Sequence, residues 1–121
     1  MLLCSSAMAD DSYVGRWDTL WNAHSRLTAT PNGAIYERRL IAAHNLFWRD
    51  ITRRCSAEAV EAGMARFRGV AVVNKEGIVT EFVLMPNDAS LQCFSKEMVG
   101  RKYPKPPKSI FYQAFVVNLD G

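Results

Sequence analysis

Charge of one sign, metal-ligand clusters, phosphate-binding glycine loops and long apolar runs are all scarce in this chain, and each scarcity excludes a class of function. Among 121 residues, 15 basic side chains are set against 12 acidic ones, for a formal net charge of +3. That small excess is unlike the concentrated basic stripe of a nucleic-acid binder, so no nucleic-acid partner is expected. Nothing after Ala9 approaches the roughly 20 consecutive apolar residues that cross a bilayer, so no membrane span is expected. The two histidines, His24 and His44, fall on the apolar stripes of helical segments, without further ligands at metal spacing. Each is read as a partly buried, hydrogen-bonded histidine, and no metal site is expected. There is no glycine-rich phosphate loop, no serine-nucleophile motif and no internal repeat. Glu58, Glu61, Glu76 and Glu81 are scattered. Neither an enzyme nor a cofactor is expected.

Cysteine is sparse as well, and its placement is informative. Cys4 lies in the uncharged stretch Met1-Leu2-Leu3-Cys4-Ser5-Ser6-Ala7-Met8-Ala9, which runs straight into Asp10-Asp11. Ala7-Met8-Ala9 fits the small-x-small end of a secretory signal, so residues 1–9 are read as a signal-peptide remnant with cleavage after Ala9 and export to a periplasm. An apolar terminus without a targeting role, or a lipid attached through Cys4, are the alternatives. A mature chain of residues 10–121 keeps two cysteines, Cys55 and Cys93, and an even count in an exported protein points to one disulfide. Cys93 sits roughly 200° around its helix from the apolar Leu91, away from the helix's buried side. Two free structural cysteines are the alternative. A catalytic thiol would need His24 or His44 beside it.

The length fits one domain. Val14, Trp17, Trp21 and His24 recur at helical spacing and predict a helix over residues 13–27, stopped by Pro31-Asn32-Gly33. Leu40, His44, Phe47 and Ile51 predict a second, longer helix over residues 34–54, with another turn or two around 57–62. The period then changes. Valine-rich residues 66–74 and residues 78–85 flank Lys75-Glu76-Gly77, a turn in which glycine supplies positive φ, and together they predict a hairpin. Asn87 or Asp88 caps a third helix reaching about Val99, with Leu91, Phe94 and Met98 on its buried face. Tyr103-Pro104-Lys105-Pro106-Pro107 is an extended connector. A last strand covers residues 109–119. A helix after the second strand returns the chain to that strand's start, so the last strand pairs beside the first. The predicted fold is α+β, a three-stranded antiparallel sheet of order 2-1-3 with helices over one face.

This ordered set resembles the C-terminal domain of the energy transducer TonB and its relatives in cell-envelope proteins. Gly69-Val70-Ala71-Val72-Val73 resembles the family's glycine followed by a strand, and Lys75-Glu76-Gly77-Ile78-Val79 its turn. Leu91, Phe94 and Met98 match the apolar positions of its helix, and Tyr103-Pro104 with Pro106-Pro107 its aromatic-and-proline segment. The resemblance covers residues 64–121; the helical N-terminal half is larger than the family's lead-in helix. It implies a fold and a mode of binding, in which a partner adds a strand to the sheet.

The last strand carries large apolar groups on both faces, and at about 3.3 Å per residue it outreaches the second strand. An apolar edge needs cover, from the chain's own helices, a second copy or a partner's extended segment. The expectation is a periplasmic protein-interaction domain that binds another envelope protein through Ile110, Phe111, Tyr112, Gln113, Phe115 and Val117, in a role such as envelope transport. A periplasmic inhibitor or immunity protein and a structural homodimer are the alternatives. Arg101, Lys102, Lys105 and Lys108, interleaved with prolines, are read as a solvated connector.

Overall fold

The computed structural model describes residues 2–119, with side chains from residue 11 onward. The expected signal remnant, residues 1–9, therefore lies outside the residues whose side chains are described. Helices α1 (Leu2–Thr28), α2 (Pro31–Asn45) and α3 (Trp48–Glu61) precede a hairpin of β1 (Arg66–Val73) and β2 (Val79–Met85). A 3-10 turn at Ala89–Leu91 leads into α4 (Gln92–Met98), and β3 (Phe111–Asn118) follows. The sheet is antiparallel with order β2-β1-β3. This is the α+β topology expected from sequence.

The helices differ from expectation in their boundaries. α1 ends at Thr28, ahead of Pro31 as expected, but Pro31-Asn32-Gly33 is not a separate turn before a helix at residue 34: Pro31 itself starts α2. Proline suits the first helical position because its missing N–H would find no intrahelical partner there, and the Thr30 side chain accepts from Gly33 N at 3.1 Å. The long helix expected over residues 34–54 is broken at Leu46–Phe47, where Leu46 N and Phe47 N bond back to Ala43 O and His44 O. No glycine or proline marks that break. It redirects the chain so that Trp48 stacks on His44 and also meets Phe94, while Leu46 is left 86% exposed. Asp88 is the cap at the next helical start, its Oδ1 accepting from Ser90 N at 2.9 Å.

Both sheet faces are covered, not one. Phe67, Ala71 and Val73 of β1 face the core built with α2, α3 and α4, where they join Leu40, Ile51, Phe94 and Met98. Val70 and Val83 face the opposite way, into a second cluster with Trp17 and Leu20 of α1. That is why β1 reads as a continuous apolar run from Gly69 to Val73: a stretch buried on both faces loses its polar alternation. Gly69 has its own reason to be small, since a Cβ there would meet the Phe82 ring at 2.4 Å. In the hairpin turn Gly77 has φ +89, as expected of it, and Asn74 Oδ1 accepts from Glu76 N and Ile78 N, both at 3.0 Å.

Cys55 on α3 and Cys93 on α4 form a disulfide, 38 residues apart in sequence. Closing a loop of that size removes chain entropy from the unfolded state. Replacing both cysteines by alanine is expected to lower the unfolding free energy by about 4 kcal/mol in the chain-entropy account, as measured by urea denaturation. A change under about 1 kcal/mol would mean that the bond constrains little.

Candidate partner-binding edge

The sheet has two outer edges, and they end differently. Along β2, Leu84 N donates to the Tyr13 hydroxyl at 3.1 Å, and that hydroxyl donates to Leu84 O. Ser95 Oγ donates to Phe82 O at 3.1 Å. Val79 bonds through N to Arg101 O at 2.9 Å and through O to Gly100 N at 2.8 Å, and Tyr103 N donates to Gly77 O. Side chains and the connector thus occupy most of this edge.

The β3 edge follows from the parity of its ladder. Leu119 N donates to Ala65 O at 2.8 Å, and β3 continues in register from Val117 opposite Phe67 to Phe111 opposite Val73. Antiparallel pairing alternates, so Phe111, Gln113, Phe115 and Val117 direct their peptide groups at β1. Tyr112, Ala114, Val116 and Asn118 direct theirs outward. Two of these outward residues are met by one side chain of α1. His24 Nδ1 lies 3.0 Å from Tyr112 O and 3.2 Å from Ala114 N. Its Nε2 lies 3.3 Å from Glu37 Oε2 on α2. Gln113 Nε2 donates to the same carboxylate oxygen at 2.8 Å and to Ala114 O at 3.0 Å. The two helices thus reach over opposite faces of the sheet and join hands across its edge. Past that point, neither the N–H nor the C=O of Val116 has a hydrogen-bond partner among the described residues, and Val116 is 58% exposed.

The residues expected to bind a partner divide accordingly. Phe111, Gln113 and Val117 are buried in the chain's own core. Phe115 is half-buried, its ring stacked on His44 at 4.3 Å between centroids. Tyr112 is half-buried on the α1 face, and Ile110, just before the strand, is exposed. What the strand offers outward is backbone, centred on Val116, which the sequence pattern does not single out. The useful signal was parity, and parity is legible only once the β1–β3 register is known.

Other candidate chemistry is dispersed or occupied. Both sulfurs of Cys55 and Cys93 are in the disulfide, so neither is a thiolate nucleophile. Arg101 lies over the Phe47 ring and bonds Glu97, and Lys105 is 3.8 Å from Glu76, which splits the basic run. Among the described residues no group of three or more His, Cys, Asp or Glu side chains is placed to hold a metal ion. No helix among them is long and apolar enough to cross a membrane. A cleft of about 400 Å³ opens beside the start of β3, lined by Leu27, Pro31, Lys108 and Phe111 among others. Glu81 is held below the usual carboxylate range by its hydrogen bond from Arg16.

No protein-family model, curated protein or solved structure matches the chain.

His44 fixes the other side of β3. Its Nδ1 shares a 2.9 Å hydrogen bond with the Tyr103 hydroxyl, and Trp48 and Phe115 stack on its ring. Burial favours the neutral imidazole and lowers its pKa from 6.5 to about 4. The unfolded chain takes up this proton below pH 6.5 while the folded chain does not. His44 therefore contributes stability above pH 6.5 that is lost as the pH falls toward 4, about 3 kcal/mol across that window. Urea denaturation at pH 7 and pH 4 is expected to show His44→Phe losing less stability on acidification than wild type. Equal losses would mean that the ring is protonated in place.

Proposed function

We propose that this chain is an exported, periplasmic protein-binding domain of TonB-like design. In this reading it takes an extended segment of another envelope protein, such as a transport component, as a fourth strand along β3. The observation that carries it is the unpartnered peptide of Val116, on an edge whose counterpart along β2 is largely occupied. An extended segment laid there would gain main-chain hydrogen bonds from backbone that otherwise faces water, which is the currency of strand addition. The Cys55–Cys93 bond supports an oxidising compartment, because such bonds persist there and are rare in the cytosol. The α+β topology, with its central hairpin and proline-rich approach to β3, supports the family resemblance at the level of fold alone.

Parity selects the variant that tests this. Proline at position 115 would break the bond to Gly69 inside the sheet, whereas proline at position 116 removes a donor that points outward. Val116→Pro is expected to keep the near-ultraviolet circular dichroism of wild type. Retention of envelope proteins on the immobilised domain should fall roughly tenfold, from one lost hydrogen bond and a ring in the partner's path. Ile35→Lys, exposed on α2, should change nothing. Undiminished retention by a folded Val116→Pro protein would exclude β3 as the docking edge, and a wild-type dimer in solution sizing lost in that variant would make the second strand a copy of this chain.

A further inference from the structure

One nitrogen of His24 faces two edge groups of opposite polarity, an acceptor at Tyr112 O and a donor at Ala114 N. It can satisfy one at a time. With the ring neutral and its hydrogen on Nε2, Nδ1 accepts from Ala114 N–H, Nε2 donates to Glu37, and Tyr112 O faces a lone pair. With the ring protonated, Nδ1 donates to Tyr112 O, Nε2 donates to the Glu37 carboxylate, and Ala114 N–H loses its acceptor. Bonds from a charged donor are roughly twice as strong as neutral ones, so the protonated ring grips the edge harder. A peptide group of an added strand offers a donor and an acceptor side by side and can satisfy both edge groups together. His24 thus stands where one residue of a neighbouring strand would stand. A second sign of imperfect closure lies next to it: Gln113 Oε1 is buried without a hydrogen-bond partner among the described residues. Turning that amide over would set its oxygen against Glu37, so the orphan is tied to the same contact.

We propose that His24 and Glu37 form a proton-operated latch on the β3 edge, which limits an added strand to Val116 and Asn118 while closed and opens the edge back to Tyr112 when the imidazole is neutral and displaced. This deepens the strand-addition reading and rests on it for its purpose, though not for its chemistry. The opened edge, from Tyr112 to Asn118, spans roughly 20 Å, the length of an ordinary strand. Imidazole is the one ordinary side chain whose unperturbed charge change falls between about pH 5 and 8, which is why a histidine suits such a latch. The charged or titratable groups that meet the ring are Glu37 from α2 and, through its carbonyl, Tyr112 from β3; Arg26 on α1 and Lys108 from the connector line a neighbouring cleft that Tyr112 also borders.

Two measurements on the intact protein test the latch. The first is an NMR titration of wild type from pH 8 to 5, following the His24 ring nitrogens, the Ala114 amide and the Tyr112 carbonyl carbon. All are expected to shift with one midpoint, Nδ1 changing from acceptor to donor as the Ala114 amide proton moves upfield. An Ala114 amide that ignores the His24 titration would overturn the proposal. The second is binding of a probe peptide that copies residues 110–119 between flanking lysines. Wild type is expected to bind it roughly tenfold more tightly at pH 8 than at pH 5.5, the gap between a neutral and a charge-assisted bond. His24→Phe, if its circular dichroism matches wild type, should bind equally at both. Binding to wild type without pH dependence would also overturn the latch. A coupled titration with no peptide binding at either pH would leave the latch standing and remove strand addition as its purpose.

Discussion

The hydrogen-bond register between β1 and β3 is the constraint on which the other features depend. β1 is the strand paired on both sides, so its residues alternate between serving β2 and serving β3. Once Leu119 meets Ala65, every second residue of β3 is committed to the interior ladder. The same residues send their side chains into the core beneath α2, α3 and α4, because parity fixes side-chain face along with peptide direction only within a set register. A slip of one residue would bury Tyr112 and Ala114 in that core and turn Phe111 and Gln113 toward α1.

Edge management follows from that register. A three-stranded sheet with two free edges invites uncontrolled pairing, and this chain occupies most of the β2 edge and part of the β3 edge with its own groups. Tyr13, Ser95 and the segment before the prolines serve β2. Along β3 the work falls to His24, Glu37 and Gln113, and it ends short of Val116. The helical N-terminal half therefore has two structural roles. It covers the second face of the sheet through Trp17 and Leu20, and it lends a polar clamp to the edge strand.

Much of the fold was legible because it rests on local chemistry. Valine-rich runs around Asn74 and Gly77 specify a hairpin through β-propensity and a turn that needs positive φ. Prolines before β3 forbid helix, and the direction of each connection leaves one economical strand order. The even pair of Cys55 and Cys93 pointed to their bond. The break at Leu46–Phe47 was not legible, since no residue there disfavours helix and the cause is the aromatic packing of His44, Trp48 and Phe94. Nor was cover of both faces, although the run Val70-Ala71-Val72-Val73 carried a hint of it.

The amino-acid order by itself determined the element types and the antiparallel 2-1-3 sheet, because periodicity, turn preference and chain direction act over short distances, and the pair of Cys55 and Cys93 left one partner for each. The tertiary structure alone decided which β3 peptides face outward, that His24 and Glu37 meet across them, and that Val116 is left open. Those outcomes depend on register and on helices reaching from residues roughly 80 to 90 positions away, as His24 does to Tyr112 and Ala114. No local pattern encodes a contact between groups that become neighbours only after the chain has folded.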